Sequence, residues 1–311
     1  MASVTLAQSA NLALNELVEG VIENVITVNH FFQVLPFDGI DGNALAYNRE
    51  LALGDVDVFG VDDVITTKNA ATFTNVTSSL TSIIGDAEVN GLIQATRSGN
   101  GNDQKAIQIG SKAKSCGRKF QDMLLNGTGV GNQFLGLLGL CDASQIIIQD
   151  TGGVTTNGGP LSFLALDNLI DTVTDKDGSV DYLIMHSRTI RSYNALLRAL
   201  GGANIGDVVT LPSGKEIPAY RNIPIFRNDY MPLTQVQGTL TTGTTVLAGT
   251  LDDGSRQHGI AGLTAQNLAG IQIEDVGVSE TKDNTITRVK WYSGLALFSL
   301  KGLAALKGVS N

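Results

Sequence analysis

Two stretches of the chain place apolar residues at the three- and four-residue spacing of an α-helix. In residues 11–28 these positions are Leu14, Leu17, Val18, Val21, Ile22, Val25 and Ile26. In residues 103–125 they are Ala106, Ile109, Ala113, Cys116, Phe120 and Met123. Asn102 or Asp103 can cap the start of the second helix, and a glycine-rich stretch ends it. The first helix either folds onto the chain's own core or reaches a partner.

Two segments between these helices have the pattern of β-strands. Apolar and polar residues alternate from Ala46 to about Val58, and residues 72–84 are rich in Thr, Val and Ile. An acidic loop of roughly ten residues would join the two strands into a long hairpin. Because little apolar material is available to bury the tip, we expect the hairpin to project from the body.

The second half of the chain mixes short helices and strands. One helix is predicted to bury Leu161, Leu164, Ala165, Leu169 and Val173. The buried strand DYLIM follows, and Ser187 can cap a further helix. Three prolines confine the extended segment 215–232 to a sheet edge or a loop. Residues 245–250 are a short strand, and the β-prone run from Thr285 to Ala305 predicts one long final strand.

Composition limits the classes of partner. The chain has 311 residues, of which 42% are hydrophobic, and a formal net charge of −9. It can bury a core, and its surface as a whole does not attract nucleic acid. Cys116 and Cys141 are too few for a disulfide framework, so a reducing cytoplasm is expected. The first residues lack the basic region of a signal peptide, and no stretch reaches about 18 uncharged apolar residues, so no membrane segment is expected.

The stretch NGTGVGN, residues 126–132, raises the question of a phosphate site. A dinucleotide fingerprint or a P-loop opens a helix, and the P-loop ends in Lys followed by Ser or Thr. Here the stretch closes a helix, and no Lys or Arg occurs between Lys119 and Lys176. We therefore interpret it as a helix exit. A nucleotide-binding enzyme built around Gly127–Gly131 is kept as a rival hypothesis.

The sequence contains no arrangement typical of catalysis or metal binding. None of His30, His186 and His258 lies within four residues of another His or a Cys, which argues against a zinc site. Asp55, Asp57, Asp62 and Asp63 lack the glycine turn and closing Glu of a calcium loop. His186 and Ser187 are interpreted as a strand end followed by a helix cap. We predict no catalytic, cofactor-binding or metal-binding residues, and by elimination a structural protein.

Taken in order, these features resemble the major capsid protein of tailed double-stranded DNA bacteriophages, which has the Hong Kong 97-like capsid fold. NALAYNRE, residues 43–50, resembles the entry to the family's projecting hairpin, the E-loop, and AATFTNVTSSLTSII resembles its return strand. FQDMLLNGTGVGNQFLGLLGL resembles the end of the family's spine helix with its glycine-rich turn. The resemblance implies an α+β fold and a subunit that is not an enzyme.

The resemblance also implies a division of the chain. The parts are an N-terminal arm (1–43), an E-loop hairpin (44–85), a peripheral or P domain with the spine helix at about 103–125 (86–140), a mainly axial or A domain (141–265), and a return to the P domain through a long C-terminal strand (266–311). No charged helical scaffolding segment precedes the arm, so any scaffolding is expected to be a separate protein.

Two sets of residues are implicated in contacts with partners. The expected subunit contacts are Leu17 and Val21 in the arm and Asp57, Phe59, Asp62, Asp63, Lys68 and Asn69 in the hairpin. The outer face of the spine helix carries Lys105, Lys112, Lys114, Arg118 and Lys119. This basic face is either a solvated surface or one that faces DNA.

Some members of the family join their subunits by an isopeptide bond. The bond links an E-loop Lys to a P-domain Asn, with help from a Glu ahead of the final strand. Lys68 matches the Lys, and Asn284 loosely matches the Asn. The sequence Trp291-Tyr292-Ser293 stands where the Glu is expected. The resemblance therefore implies a subunit whose cross-linking catalyst is missing.

The function implied is an icosahedral head shell that encloses phage double-stranded DNA. Its hexamers and pentamers would assemble in the bacterial host cytoplasm and become part of the virion. The expected partners are further copies of the chain, a portal, a separate scaffolding or decoration protein, and DNA bound without sequence preference; no cofactor and no membrane are expected. An encapsulin-type nanocompartment, which holds a cargo enzyme, is the alternative.

Overall fold

The computed structural model describes residues 30–67, 69–98, 103–150, 155–175, 178–199 and 207–310. Leu17, Val21 and Lys68, with the helix expected at residues 11–28, lie outside this described part.

The strands are β1 (Phe37–Ile40), β2 (Ala44–Ala52), β3 (Thr72–Ser79), β4 (Thr81–Asn90), β5 (Ile146–Ile148), β6 (Gly159–Pro160), β7 (Tyr182–Met185), β8 (Asp207–Thr210), β9 (Glu216–Tyr220), β10 (Ile223–Arg227), β11 (Gln235–Gln237), β12 (Leu240–Gly249), β13 (Ile260–Ala265), β14 (Gln272–Val278), β15 (Asn284–Leu297) and β16 (Leu303–Ser310).

The helices are fewer than the strands in the described part of the chain. They are α1 (Gly91–Arg97), α2 (Gln104–Asn126), α3 (Leu137–Leu140), α4 (Phe163–Thr174) and α5 (Ser187–Ala199), with 3-10 turns at His30–Gln33, Ala143–Gln145, Thr155–Asn157 and Leu300–Gly302. The mixture of helices with largely antiparallel sheets confirms the expected α+β class. None of these helices combines the length and the apolar character needed to cross a bilayer.

Three sheets organise the described strands. A five-stranded sheet has the order β1-β13-β15-β14, with β4 on the other side of β15. A nine-stranded sheet has the order β5-β16-β12-β7-β10-β9-β8, with β11 beside β12 and β6 beside β16. The hairpin of β2 and β3 forms a sheet of its own.

The long helix α2 packs against one face of the five-stranded sheet. Asp103 caps the helix by accepting a hydrogen bond from the backbone N–H of Lys105, at 2.9 Å. Phe120 on the helix lies 4.5 Å from Trp291 on β15, measured between ring centroids. Ile83 on β4 is opposite Trp291 in the strand register and joins the same buried cluster. This packing explains why the helical stripe of the sequence is apolar.

The nine-stranded sheet is covered on both of its faces. Leu183 and Met185 of β7 point into a cluster formed with α4 and α5. Tyr182 and Ile184 point the other way, into the cluster that contains Phe31 and the end of α2. A strand that is buried on both faces needs a continuous apolar run, which is what YLIM supplies.

The run from Thr285 to Ala305 is two strands rather than the single strand expected from its composition. β15 ends at Leu297, the chain turns through Leu300–Gly302, and β16 enters the nine-stranded sheet. We call residues 297–302 the crossover. Ser299, Lys301 and Gly302 interrupt the apolar run there, and this sign of a break was missed because Phe298 and Leu300 are as apolar as the strands.

The segment 215–232, expected at a sheet edge because of its prolines, contains two interior strands. β10 lies between β7 and β9, and β9 lies between β10 and β8. Pro224 pairs only with Ala219 of β9, because the pairing of β10 with β7 begins at Ile225. Because Pro224 does not pair with β7, its lack of a backbone N–H removes no hydrogen bond between β10 and β7.

Three local expectations are wrong. Ala106 on α2 is exposed, whereas Gln104 in the same first turn is fully buried. Leu164, in the first turn of α4, is 71% exposed, and Leu166 is buried in its place. His186 rather than Ser187 caps α5: the His186 ring nitrogen Nδ1 accepts from the Arg188 N–H at 3.0 Å, and its carbonyl accepts from the Ile190 N–H at 3.0 Å.

The division into an arm, a hairpin, a P domain and an A domain stays a prediction. β13, inside the mainly A-domain range 141–265, pairs within the five-stranded sheet, and β16, inside 266–311, pairs within the nine-stranded sheet. The predicted ranges therefore do not coincide with the two sheets, because each of these two ranges supplies a strand to the other sheet.

Candidate subunit-contact and nucleic-acid surfaces

The hairpin predicted from the sequence is present. β2 and β3 pair in antiparallel register from Ala44 opposite Ser79 to Ala52 opposite Thr72. The connecting segment, residues 53–71, is longer than the loop of roughly ten residues that was expected, because β2 ends at Ala52 instead of continuing to Val58. We call residues 53–71 the hairpin tip.

The acidic residues of the hairpin tip shape its backbone. Asp57 accepts a hydrogen bond from the Val58 N–H at 2.8 Å, and Asp63 accepts one from the Gly60 N–H at 2.6 Å. The Asp55 N–H donates to the Asn69 carbonyl at 3.2 Å, and the Asp55 and Asn69 side chains also pair. Within the described residues, no three His, Cys, Asp or Glu side chains are grouped as metal ligands would be.

The contact residues expected from the sequence did not include the aliphatic side chains of the hairpin tip. Val56, Val58 and Val61 are 93, 95 and 96% exposed, and Val64 and Ile65 are also exposed. Phe59 is half-buried, whereas Asp57, Asp62, Asp63 and Asn69 are exposed. These residues could have been found from the sequence, because an apolar residue occurs at almost every second or third position among the aspartates of the tip. Burying one such side chain contributes about 1.5–3 kcal/mol, so this surface is suited to a partner.

The base of the hairpin is fastened to the crossover. The Tyr47 hydroxyl donates to the Leu297 carbonyl at 2.7 Å, and Arg49 Nε donates to the Phe298 carbonyl at 3.0 Å. A second guanidinium N–H of Arg49 also donates to the Leu297 carbonyl, and the Tyr47 and Phe298 rings meet edge to face at 5.2 Å. We call Tyr47 and Arg49 the clasp. Because its acceptors are backbone carbonyls about 250 residues away, no sequence pattern could reveal it.

The predicted basic face of α2 is partly neutralised by carboxylates of the same chain. Lys105 pairs with Asp275 of β14 at 3.0 Å, and Lys119 pairs with Asp122 at 3.2 Å. The pKa of Asp86 is lowered mainly by its hydrogen bond with Arg288, and the nearby charge of Lys112 adds a smaller effect in the same direction. Lys114 is exposed and Arg118 is half-buried. Whether this face contacts DNA stays a prediction.

The glycine-rich stretch folds into a tight turn at the C-terminal end of α2. The Gly127 N–H donates to the Met123 carbonyl, and the Gly136 N–H donates to the Gly127 carbonyl, both at 2.9 Å. A Cβ on Gly127 would lie 2.2 Å from the Phe134 carbonyl oxygen. The turn therefore packs on itself at the negative end of a helix dipole. This geometry supports a helix exit and gives the nucleotide-binding hypothesis no cradle.

His186, Ser187 and Asp229 come together where β7 passes into α5. Ser187 Oγ lies 3.3 Å from His186 Nδ1, and Asp229 Oδ1 lies 3.9 Å from His186 Nε2. The two adjacent side chains touch because the chain turns into a helix at Ser187. His186 Nδ1 already accepts the Arg188 N–H, however, so its lone pair is not free to take a proton from Ser187. Burial lowers the pKa of His186, in keeping with a neutral capping ring.

No family model matches the sequence, and no curated protein is similar to it by sequence. Solved structures do match it over almost its whole length. The holo-SrpI encapsulin complex from Synechococcus elongatus has a TM-score of 0.72 at 18% identity, covering 99% of this chain and 97% of that one. The capsid of cyanophage A-1(L) has a TM-score of 0.68 at 12% identity, with 97% and 98% covered. The capsid of a native GTA particle has a TM-score of 0.65 at 10% identity, with 100% of both chains covered.

The chain has the Hong Kong 97-like capsid fold. The resemblance drawn from the sequence is confirmed at the level of the fold, including its projecting hairpin and its long helix beside the sheet. At identities of 18% and below, the likeness does not assign the contents of a shell.

Asn284, which loosely matches the cross-linking Asn, lies inside its own subunit. This side chain is 3% exposed, and its Oδ1 accepts a hydrogen bond from Asn90 Nδ2 at 3.2 Å. Trp291 and Ser293, which stand where the Glu is expected, are buried in the sheet. Lys68 lies outside the described residues. The candidate acceptor is therefore occupied and hidden within its own subunit.

Assembled particles are expected to contain no covalent link between subunits. Formation of an isopeptide bond requires a base, because a lysine of ordinary pKa is protonated near neutral pH. Boiled particles on a denaturing gel should therefore give one band near 32.7 kDa. A Lys68→Arg variant, which cannot form the bond, serves as the control and should run identically. A ladder of multimers that disappears in this variant would contradict the prediction.

An ion pair on the five-stranded sheet of the capsid fold ties β4 to β15. Arg288 donates to both carboxylate oxygens of Asp86, at 2.8 and 2.9 Å, and the Asp86 side chain is only 7% exposed. The hydrogen bond from Arg288 lowers the pKa of Asp86 below its ordinary value, although burial opposes this. The pair is thus a source of stability that requires the ionised carboxylate.

Asp86→Asn is expected to lower the melting temperature at neutral pH. It should also make the melting temperature depend less on pH in the acidic range. The folded-state pKa of Asp86 lies below the unfolded value of about 3.9, so the pair stabilises the fold above that pH and is lost as the pH falls through the folded pKa. Removing the charge costs about 1–3 kcal/mol. Melting curves from pH about 2.5 to 7 test this, with the exposed Glu216→Gln as control. Equal losses at every pH would contradict the assignment.

Proposed function

We propose that this chain is a major capsid protein that self-assembles into the icosahedral head shell enclosing phage double-stranded DNA. The observation that carries the proposal is the hairpin tip, whose aliphatic side chains Val56, Val58 and Val61 stand almost fully in solvent. A folded monomer gains nothing from such a surface, whereas a neighbouring copy can bury it. A closed symmetric shell repeats that contact for every subunit.

The fold supports the same conclusion. The matching structures include a cyanophage capsid, a GTA capsid and an encapsulin complex, which are all assemblies. We infer a structural role without catalysis or a cofactor, copies of the chain arranged as hexamers and pentamers, and a place in the virion after assembly in the host cytoplasm. A portal and a separate scaffolding or decoration protein complete the proposed set of partners.

The alternative is an encapsulin-type shell that holds a cargo protein. The observation in its favour is the TM-score of 0.72 with the encapsulin complex. We favour the phage shell because phage and GTA particles supply several full-length matches. The two hypotheses differ in what the particle contains, so its contents decide between them.

Particles purified from the cell of origin test the proposal. Sedimentation and electron microscopy should show megadalton icosahedral shells, and double-stranded DNA should resist nuclease until the shells are opened. Shells that contain a protein cargo and no protected DNA would establish the encapsulin alternative. A subunit that stays monomeric, even when produced with a scaffolding partner, would contradict both.

A further inference from the structure

The outward side of α5 carries a stripe of arginines. The helix has the sequence SRTIRSYNALLRA, with Arg188, Arg191 and Arg198 exposed and no acidic residue among its thirteen. At 3.6 residues per turn the three positions fall within an arc of about 80°. The buried residues Thr189 and Tyr193 lie on the opposite side. We call Arg188, Arg191 and Arg198 the arginine stripe.

The charges of the arginine stripe are not neutralised by the part of the chain that the structure describes. Among these residues no carboxylate forms an ion pair with any of the three guanidinium groups. Arg198 Nε donates to the Asn194 carbonyl of its own helix at 3.2 Å. Asp229, beside the start of α5, pairs instead with Arg227. On a chain with a net charge of −9, such a surface is suited to an anionic partner.

The chemistry of the stripe favours a phosphate backbone over an acidic protein. Guanidinium groups bind phosphates and carboxylates alike through two parallel hydrogen bonds, so the choice between them depends on the rest of the surface. A protein partner would also need an apolar centre to its interface, and no large apolar side chain of α5 is strongly exposed. Arg188 and Arg198 are ten residues apart, which is about 15 Å along a helix. A duplex carries one charge per about 1.7 Å, so the stripe can meet several phosphates.

We propose that the outward face of α5 binds the phosphate backbone of double-stranded DNA without sequence preference. The stripe then performs the role that the sequence suggested for the basic face of α2. On α2 two of the five basic side chains are held by Asp275 and Asp122. The biological setting of this inference rests on the proposed shell function, but the binding itself is a property of the subunit.

The test compares two charge-removal variants of the full-length protein. The probe is a fluorescein-labelled DNA duplex of about 24 base pairs, followed by fluorescence anisotropy over a series of NaCl concentrations. R188Q/R191Q/R198Q is expected to bind about tenfold or more weakly at low salt. Its plot of log affinity against log salt should be less steep by up to about 2.7, because each phosphate contact contributes about 0.9. The matched variant K112Q/K114Q/K119Q should stay within about twofold of the wild type.

Each other outcome overturns the inference. The assignment to the arginine stripe is wrong if the arginine variant binds the duplex as tightly as the wild type. It is also wrong if the lysine variant is the one whose affinity for the duplex falls. The ligand class is wrong if the wild type does not bind the duplex at about 50 mM salt, or if polyglutamate of matched charge binds equally well. Electron microscopy of the same samples separates this result from the proposed function, since the arginine variant should still form shells. Its melting temperature should equal that of the wild type, because Gln and Arg have similar helix propensities.

Discussion

Replacing residues 57–68 of the hairpin tip by an Asn-Gly turn is expected to abolish shell assembly and to leave a folded subunit. The replacement removes Val58, Val61, Val64 and Ile65, which are exposed and contribute nothing to the core of their own chain. Closing a shorter loop changes the folding free energy little, because closure entropy varies slowly with loop length. Asp55 and Asn69 are kept, so the pairing that closes the base of the tip is preserved.

Sedimentation and a melting curve on one sample decide the outcome. The variant should melt cooperatively near the wild-type temperature and sediment as free subunits or small rings. Val236→Ser is the matched control, because Val236 is also an exposed valine, on β11 and outside the tip. Normal shells from the tip variant would show that the hairpin is not a subunit contact. An unfolded subunit would show that the tip belongs to its own core.

Releasing the clasp is expected to give shells that are fewer and irregular, with only a moderate loss of subunit stability. Y47F/R49A removes the hydrogen bonds to the Leu297 and Phe298 carbonyls. A hydrogen bond to a charged group is worth about 1.5–3 kcal/mol, which is too little to unfold the subunit but enough to let the hairpin swing. A closed shell requires every hairpin to leave the body at the correct angle.

The control for the clasp lies on the same strand. The side chain of the exposed Asn48 bonds across the hairpin, with its Oδ1 accepting from Asn75 Nδ2 at 3.0 Å, rather than to the crossover. Asn48→Ala should therefore assemble like the wild type. Particle size distributions from electron microscopy give the measurement. Uniform shells of Y47F/R49A at wild-type yield would show that the clasp does not set the hairpin angle.

The features that could be predicted from the sequence are those that depend on residues close together along the chain. The helix α2 follows from an apolar stripe with Asp103 as its cap, the hairpin follows from alternation, and the helix exit at Gly127 follows from glycine spacing without a basic residue. Each depends on neighbours within a few residues along the chain. The same is true of DYLIM, whose continuous apolar run predicted a buried strand.

The features that the sequence did not predict depend on distant parts of the chain. The break after Leu297 occurs because the next strand joins another sheet, and the short polar interruption at Ser299, Lys301 and Gly302 does not by itself reveal a change of sheet. The clasp bonds to carbonyl groups, which every residue carries. The arginine stripe was readable in principle from the spacing of Arg188, Arg191 and Arg198, but its lack of carboxylate partners is visible only in three dimensions. The aliphatic residues of the hairpin tip can be read from the sequence, but the predicted subunit contacts named the aspartates instead.

The crossover also has a mechanical consequence. β15 and β16 are one continuous run of backbone, and they belong to different sheets. The clasp grips that run at Leu297 and Phe298, between the two. The hairpin is joined to the five-stranded sheet directly, through β1 and β4, and the hydrogen bonds of the clasp add a second link, to the backbone that leads into the nine-stranded sheet. In a shell under internal pressure, a displacement of the hairpin would therefore act on the five-stranded sheet through covalent bonds and on the nine-stranded sheet through the clasp.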